Sequence, residues 1–90
     1  METQMIRIVD FCRSHQIEIN FVEKLSEYGL IALVIDKGEM YVMEEELLPL
    51  EQFTSWHYEL EMNFPGIEVA QNLLSKIKTL QQEIQVLKNS

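Results

Sequence analysis

The side chains best suited to chemistry near neutral pH are Cys12, His15 and His57. A thiolate can attack an electrophilic carbon, and an imidazole can take a proton or hold a metal. Here the three fall in separate predicted helices or turns, with no motif spacing that would bring a nucleophile to a base. A single cysteine also rules out an internal disulfide and leaves no cysteine cluster for structural zinc. The pattern therefore predicts a packed Cys12, behaving as a small apolar side chain, and histidines at the surface or an interface. Glu44-Glu45-Glu46 is a run of carboxylates, the ligand type calcium takes, yet it lacks the alternating oxygen ligands and central glycine of an EF-hand loop. It reads as a helix start or as a rim for a basic partner. No catalytic residue, cofactor or metal is expected, and the protein is not expected to be an enzyme.

The elements that carry these residues follow from hydrophobic spacing. From Ile6 to His15, the residues Ile8, Val9, Phe11 and Cys12 recur at helical intervals while Asp10 and Arg13 can face solvent, which predicts a short first helix. After Ser14-His15-Gln16, the residues Ile17, Phe21, Leu25 and Tyr28 share one face of a second helix, which stops at Gly29 because glycine tolerates left-handed backbone. Two short helices joined by a tight polar turn make a helix-turn-helix candidate. Leu30 to Ile35 and Met40 to Met43 read as strands around the turn residues Asp36-Lys37-Gly38, a β-hairpin or wing. Glu44-Glu45-Glu46 then opens a third helix, where carboxylates meet exposed amide dipoles, with Pro49 near its start. Leu50, Phe53, Trp56 or His57, and Leu60 form its inward stripe, which Asn63-Phe64-Pro65-Gly66 breaks. Trp56, Tyr58 and Phe64 gather near this junction, mostly as structure, with a share of their surface open to partner contact.

Beyond the break, Ala70, Leu73, Ile77, Leu80, Ile84 and Leu87 alternate spacings of three and four residues, the signature of a heptad seam. With Ile77 and Ile84 at a and Leu80 and Leu87 at d, the core preference is for two strands. The expected architecture is therefore mainly α: a winged helix-turn-helix head over residues 1–66 and a long association helix over 67–90, forming a dimeric coiled coil. A helix docked on its own head is the competing reading. Glu83 with Lys88 favours a parallel pair and Lys76 with Glu83 an antiparallel one, so the direction stays open.

Charge narrows the function classes. Fifteen acidic residues against seven basic ones give a net charge of −8, which repels the phosphate backbone that supplies most nonspecific nucleic-acid affinity. Residues 1–66 hold thirteen acids and four bases, whereas residues 67–90 hold two acids and three bases. The negative field belongs to the head, and Glu18, Glu23, Glu27, Glu44, Glu45 and Glu46 are its candidate partner-binding surface. No apolar run approaches the roughly 20 residues that span a bilayer, and the start Met1-Glu2-Thr3-Gln4 lacks the order of a secretory signal. A cytoplasmic protein without a membrane partner is expected.

The order of helix, helix ending in Tyr28-Gly29-Leu30, hairpin and acidic helix start resembles the head of MerR-type regulators. Glu59-Leu60, Asn63-Phe64-Pro65-Gly66-Ile67, Val69-Ala70, Leu73, Ile77 and Leu80, with Ile8, Phe11-Cys12 and Ile17 at the front, resemble the CbpM-like chaperone modulators. That resemblance implies a homodimeric adaptor that binds the J-domain of a DnaJ- or CbpA-type co-chaperone and restrains its stimulation of the Hsp70 chaperone DnaK. A J-domain presents a basic helix, which an acidic head suits. The alternative is a MerR-family DNA-binding transcriptional regulator. Such a reader needs basic residues on its second helix and wing, where this chain has Lys24 and Lys37 against Glu18, Glu23, Glu27, Asp36 and Glu39. DNA is therefore expected to be a poor partner for the chain alone. MerR regulators carry an effector domain after the long helix; none is expected here.

Overall fold

The computed structural model describes residues 4–89. The reading of the amino-terminal start falls mainly on residues 1–3, outside the described residues. The elements run β1 (Met5–Arg7), α1 (Ile8–His15), α2 (Ile19–Glu27), β2 (Val34–Asp36), β3 (Glu39–Met43), a 3-10 turn (Glu44–Glu46), α3 (Leu47–Tyr58) and α4 (Phe64–Lys88). The protein is mainly helical, with a small three-stranded sheet and one long carboxy-terminal helix.

The two short helices stop by the same device. At the end of α1, Gln16 adopts left-handed backbone, the Ile17 N–H donates to Cys12 O at 3.0 Å and the Gln16 N–H to Arg13 O at 3.4 Å. At the end of α2, Gly29 has φ 72°, and the Leu30 and Gly29 N–H groups donate to Leu25 O and Ser26 O, both at 2.9 Å. This paired bonding satisfies carbonyls that a helix end would otherwise leave open.

The sheet has the order β1-β3-β2, both pairs antiparallel. Asp36 pairs with Glu39 across Lys37 and Gly38, both at positive φ, the geometry that lets a two-residue turn follow strand twist. Two sequence expectations change here. Ile6 belongs to a strand rather than to the first helix: Met5, Ile6 and Arg7 pair with Met43, Val42 and Tyr41. Non-local pairing overrides a local helical spacing in this short segment. The strand expected over Leu30 to Ile35 shortens to Val34–Asp36. The Leu30 N–H is consumed by the α2 cap, and Ile31 turns into the core.

One core holds the molecule together, built from Ile8, Phe11, Cys12, Phe21, Val22, Leu25, Ile31, Val42, Leu50, Phe53 and Ile67. Glu44–Glu46 form a 3-10 turn rather than the first α-helical turn, and α3 stops at Tyr58, leaving Leu60 outside the helix and exposed. Met62 turns back instead: its N–H donates to Trp56 O at 3.1 Å, and His57 Nδ1–H donates to Met62 O at 2.8 Å. Asn63-Phe64-Pro65-Gly66 ends the link by starting α4. Asn63 is the N-cap, its Oδ1 accepting from the Gly66 N–H at 2.8 Å, and Pro65 stands in the first turn where no amide proton is needed.

The two helix ends make measurable predictions. Asn63→Ala should lower stability by about 1 kcal/mol through the lost cap, and Gly29→Ala by about 1 kcal/mol because alanine resists positive φ. Chemical denaturation should rank both well below Phe53→Ala, for which about 3–5 kcal/mol is expected from the emptied core site.

Candidate functional site

The reading face of a helix-turn-helix head is its second helix and wing, and here both are acidic. Glu23 and Glu27 stand one turn apart on the exposed side of α2, and exposed Glu18 is the residue at which that helix begins. Glu44 and Glu45 are exposed and Glu46 half-buried on the turn that leads into α3. The six predicted carboxylates thus occupy two separate elements. Among the described residues none of the six takes part in an ion pair or a side-chain hydrogen bond.

At the sheet, Arg7 pairs with Glu39 across β1 and β3, and Tyr41 Oη donates to the same carboxylate at 3.1 Å. The hydrogen bond and charge of Glu39 raise the pKa of Arg7, and the hydrogen bond to Glu39 raises that of Tyr41. One of the head's four bases is therefore held against an acid, a pairing hidden in the sequence because Ile6 and its neighbours have local helical spacing. Arg13, Lys24 and Lys37 are exposed. At the wing, Ile35 is 72% exposed.

The residues with chemical potential are held apart. Cys12 is buried in the core as expected, and burial pushes its thiol pKa up, which disfavours the reactive thiolate. His15 stacks on Phe11 at 4.0 Å with Nδ1 3.1 Å from Phe11 O. His57 lies at the α3–α4 junction, stacked with Phe21 at 4.8 Å and Phe64 at 5.2 Å. Among the described residues no group of three or more histidine, cysteine, aspartate or glutamate side chains is placed to hold a metal. Among the described residues no helix is long and apolar enough to cross a membrane.

The carboxy-terminal helix divides along its length. Ile67 is fully buried in the core and α3 packs on the start of α4, whereas Leu73, Ile77, Leu80 and Ile84 are 54%, 48%, 57% and 53% exposed. From Leu73 onward the predicted seam is therefore left uncovered, while its first member, Ala70, is half-buried. Leu87 is also exposed, further along the same helix.

Residues 6–89 match the family described as MerR HTH family regulatory protein. The chain belongs to that family. No curated protein and no solved structure matches it. Membership of this regulatory helix-turn-helix family agrees with a non-catalytic protein, and it covers both the winged head and the long helix. On α2 and the wing of this MerR-type chain, acidic side chains outnumber basic ones.

That sign is testable by reversal. Glu23→Lys/Glu27→Lys should gain salt-dependent affinity for duplex DNA, with the slope of log K against log salt steeper by about 0.9 for each phosphate newly contacted. Glu44→Lys/Glu45→Lys makes the same change in net charge on another element and should steepen the slope less; fluorescence anisotropy over a salt series measures both. Cys12 should react with a thiol reagent slowly in the folded protein and rapidly once denaturant exposes it.

Proposed function

We propose that this MerR-type protein is a regulatory adaptor that works through protein contacts, its acidic head taking a basic partner surface. The observation that carries the reading is the charge of α2 and the wing, where Glu18, Glu23, Glu27, Asp36 and Glu39 outnumber Lys24 and Lys37, Glu39 alone being paired, with Arg7 of β1. Opposite charge across an interface steers encounter and selects partners, whereas a phosphate backbone meets this face with like charge. The resemblance of the Asn63-Phe64-Pro65-Gly66-Ile67 junction and of the helix after it to CbpM-like modulators names the partner: the J-domain of a DnaJ- or CbpA-type co-chaperone. Binding there would restrain stimulation of Hsp70 by occlusion, without chemistry.

In the same proposal, residues 1–66 are the recognition head and residues 67–90 the association helix. Two copies join along Leu73, Ile77, Leu80 and Ile84, an apolar row that a small head leaves in water. A cytoplasmic homodimer results.

A DNA-binding transcriptional regulator is the second reading, and the family's description as regulatory helix-turn-helix proteins favours it. It requires Arg13, Lys24 and Lys37 to hold the phosphate backbone against the surrounding carboxylates.

Adding the protein to an Hsp70 ATPase assay driven by a J-domain co-chaperone of the same cell should lower the stimulated rate and leave the basal rate unchanged. Full stimulation at saturating protein, with no complex in a binding titration, would end the J-domain reading. For the dimer, sedimentation should give two chains for the wild type and one for Ile77→Asp or Leu80→Asp, since each places a charge in the seam. A monomeric wild type would contradict it.

A further inference from the structure

Five rings meet where the three later helices join. Phe21 of α2 lies 5.2 Å from Tyr58 at the end of α3 and 5.7 Å from Phe64 at the start of α4, and Tyr28 stacks on Phe64 at 5.6 Å. His57 fills the middle, in contact with Phe21, Tyr58 and Phe64. Phe21 is buried and binds the helices together, but the outer rings do more than packing needs: Tyr28 is 38% and Tyr58 46% exposed. Neither tyrosine hydroxyl has a hydrogen-bond partner among the described residues.

Tyr58 also forms one wall of an open cleft of about 330 Å³ between the end of α1 and α3, lined further by His15, Ile17, Glu51, Ser55 and Glu59. Glu59 accepts a hydrogen bond from Ser55 Oγ at 2.9 Å, which holds its carboxylate at the cleft. No lysine or arginine lines it, and His15, its one histidine, is stacked on Phe11. Two carboxylates beside an aromatic face suit a cation that is partly stripped of water, because the ring quadrupole and the charges act together. The neighbouring rings offer apolar cover for the side chains around that cation, and tyrosine is a favoured interface anchor.

We propose that Tyr58 and its cleft receive a lysine or arginine side chain from a basic amphipathic helix of a partner protein, with Tyr28 and Phe64 covering apolar residues of the same helix. The inference rests on the reading of the head as a protein-binding module and places the anchor on the aromatic junction. Charge complementarity chooses the occupant: residues 1–66 carry thirteen acids and four bases.

Calorimetric titration of the full chain tests it with two probes, the J-domain and a synthetic arginine-rich amphipathic helix, using Tyr58→Ala and the double variant Glu51→Gln/Glu59→Gln. Denaturation midpoints check folding, and the double variant changes only side chains that are largely exposed. Expected are about 30-fold weaker binding for Tyr58→Ala and a weaker, less salt-sensitive interaction for the double variant. If the wild type binds the J-domain and folded variants bind it equally well, the anchor is wrong and the J-domain reading survives. If the J-domain fails to bind but the peptide binds and the variants lose it, the anchor stands and the J-domain reading falls. Wild type that binds neither probe overturns the anchor.

Discussion

The burial of Ile67 is the contact on which the rest of the molecule turns. It sits one turn into α4, fully enclosed in the same core as Phe53, Leu25 and Val42, while Asn63 caps the helix and His57 clasps the link through Met62 O. A long helix joined to a head by a loose linker could point anywhere. Held by its first turn, α4 leaves the head in one direction and exposes the row from Leu73 to Ile84 along its free length. The junction therefore does three things together: it closes the head's core, aims the helix, and assembles the rings of Phe21, His57, Tyr58 and Phe64 at the corner.

Fold and charge act on separate levels in this protein. Core positions specify a winged helix-turn-helix head, with Phe11, Phe21, Leu25 and Phe53 filling the space between helices and sheet. The solvent positions of α2 and the wing contribute nothing to that core and are free to change sign. A head built this way keeps its shape whatever the sign of its long-range field. The proposed adaptor role follows from that separation: the fold is shared with regulators of the family, and the partner is chosen by what decorates it.

Much of the fold was legible in the sequence, for a physical reason. The helices α2 and α4 have regular apolar spacing and strong terminal residues, so Phe21, Leu25 and Gly29, and the row from Leu73 to Ile84, stood out at once. The parts that escaped depend on distant neighbours. Ile6 reads as helix locally and becomes strand because β3 offers an edge, and Leu30 leaves the strand because the α2 cap takes its N–H. Asn63-Phe64-Pro65-Gly66 reads equally as a break or a beginning, since capping residues and turn residues are the same types. The aromatic corner was glimpsed only in part. Tyr58 and Phe64 were visible as a group, but Trp56 faces Phe53 instead, and Phe21 and Tyr28 reach the corner from a helix far away in sequence.

On the proposed reading, the acidic side chains of α2 and the wing disfavour nucleic acid and suit a basic protein surface. An anisotropy titration of labelled duplex DNA with the wild-type protein, repeated from about 50 to 200 mM salt, tests it most directly. Weak binding at every salt concentration and a shallow slope of log K against log salt are expected. Tight binding at low salt that falls by about a thousandfold or more over that range would contradict it.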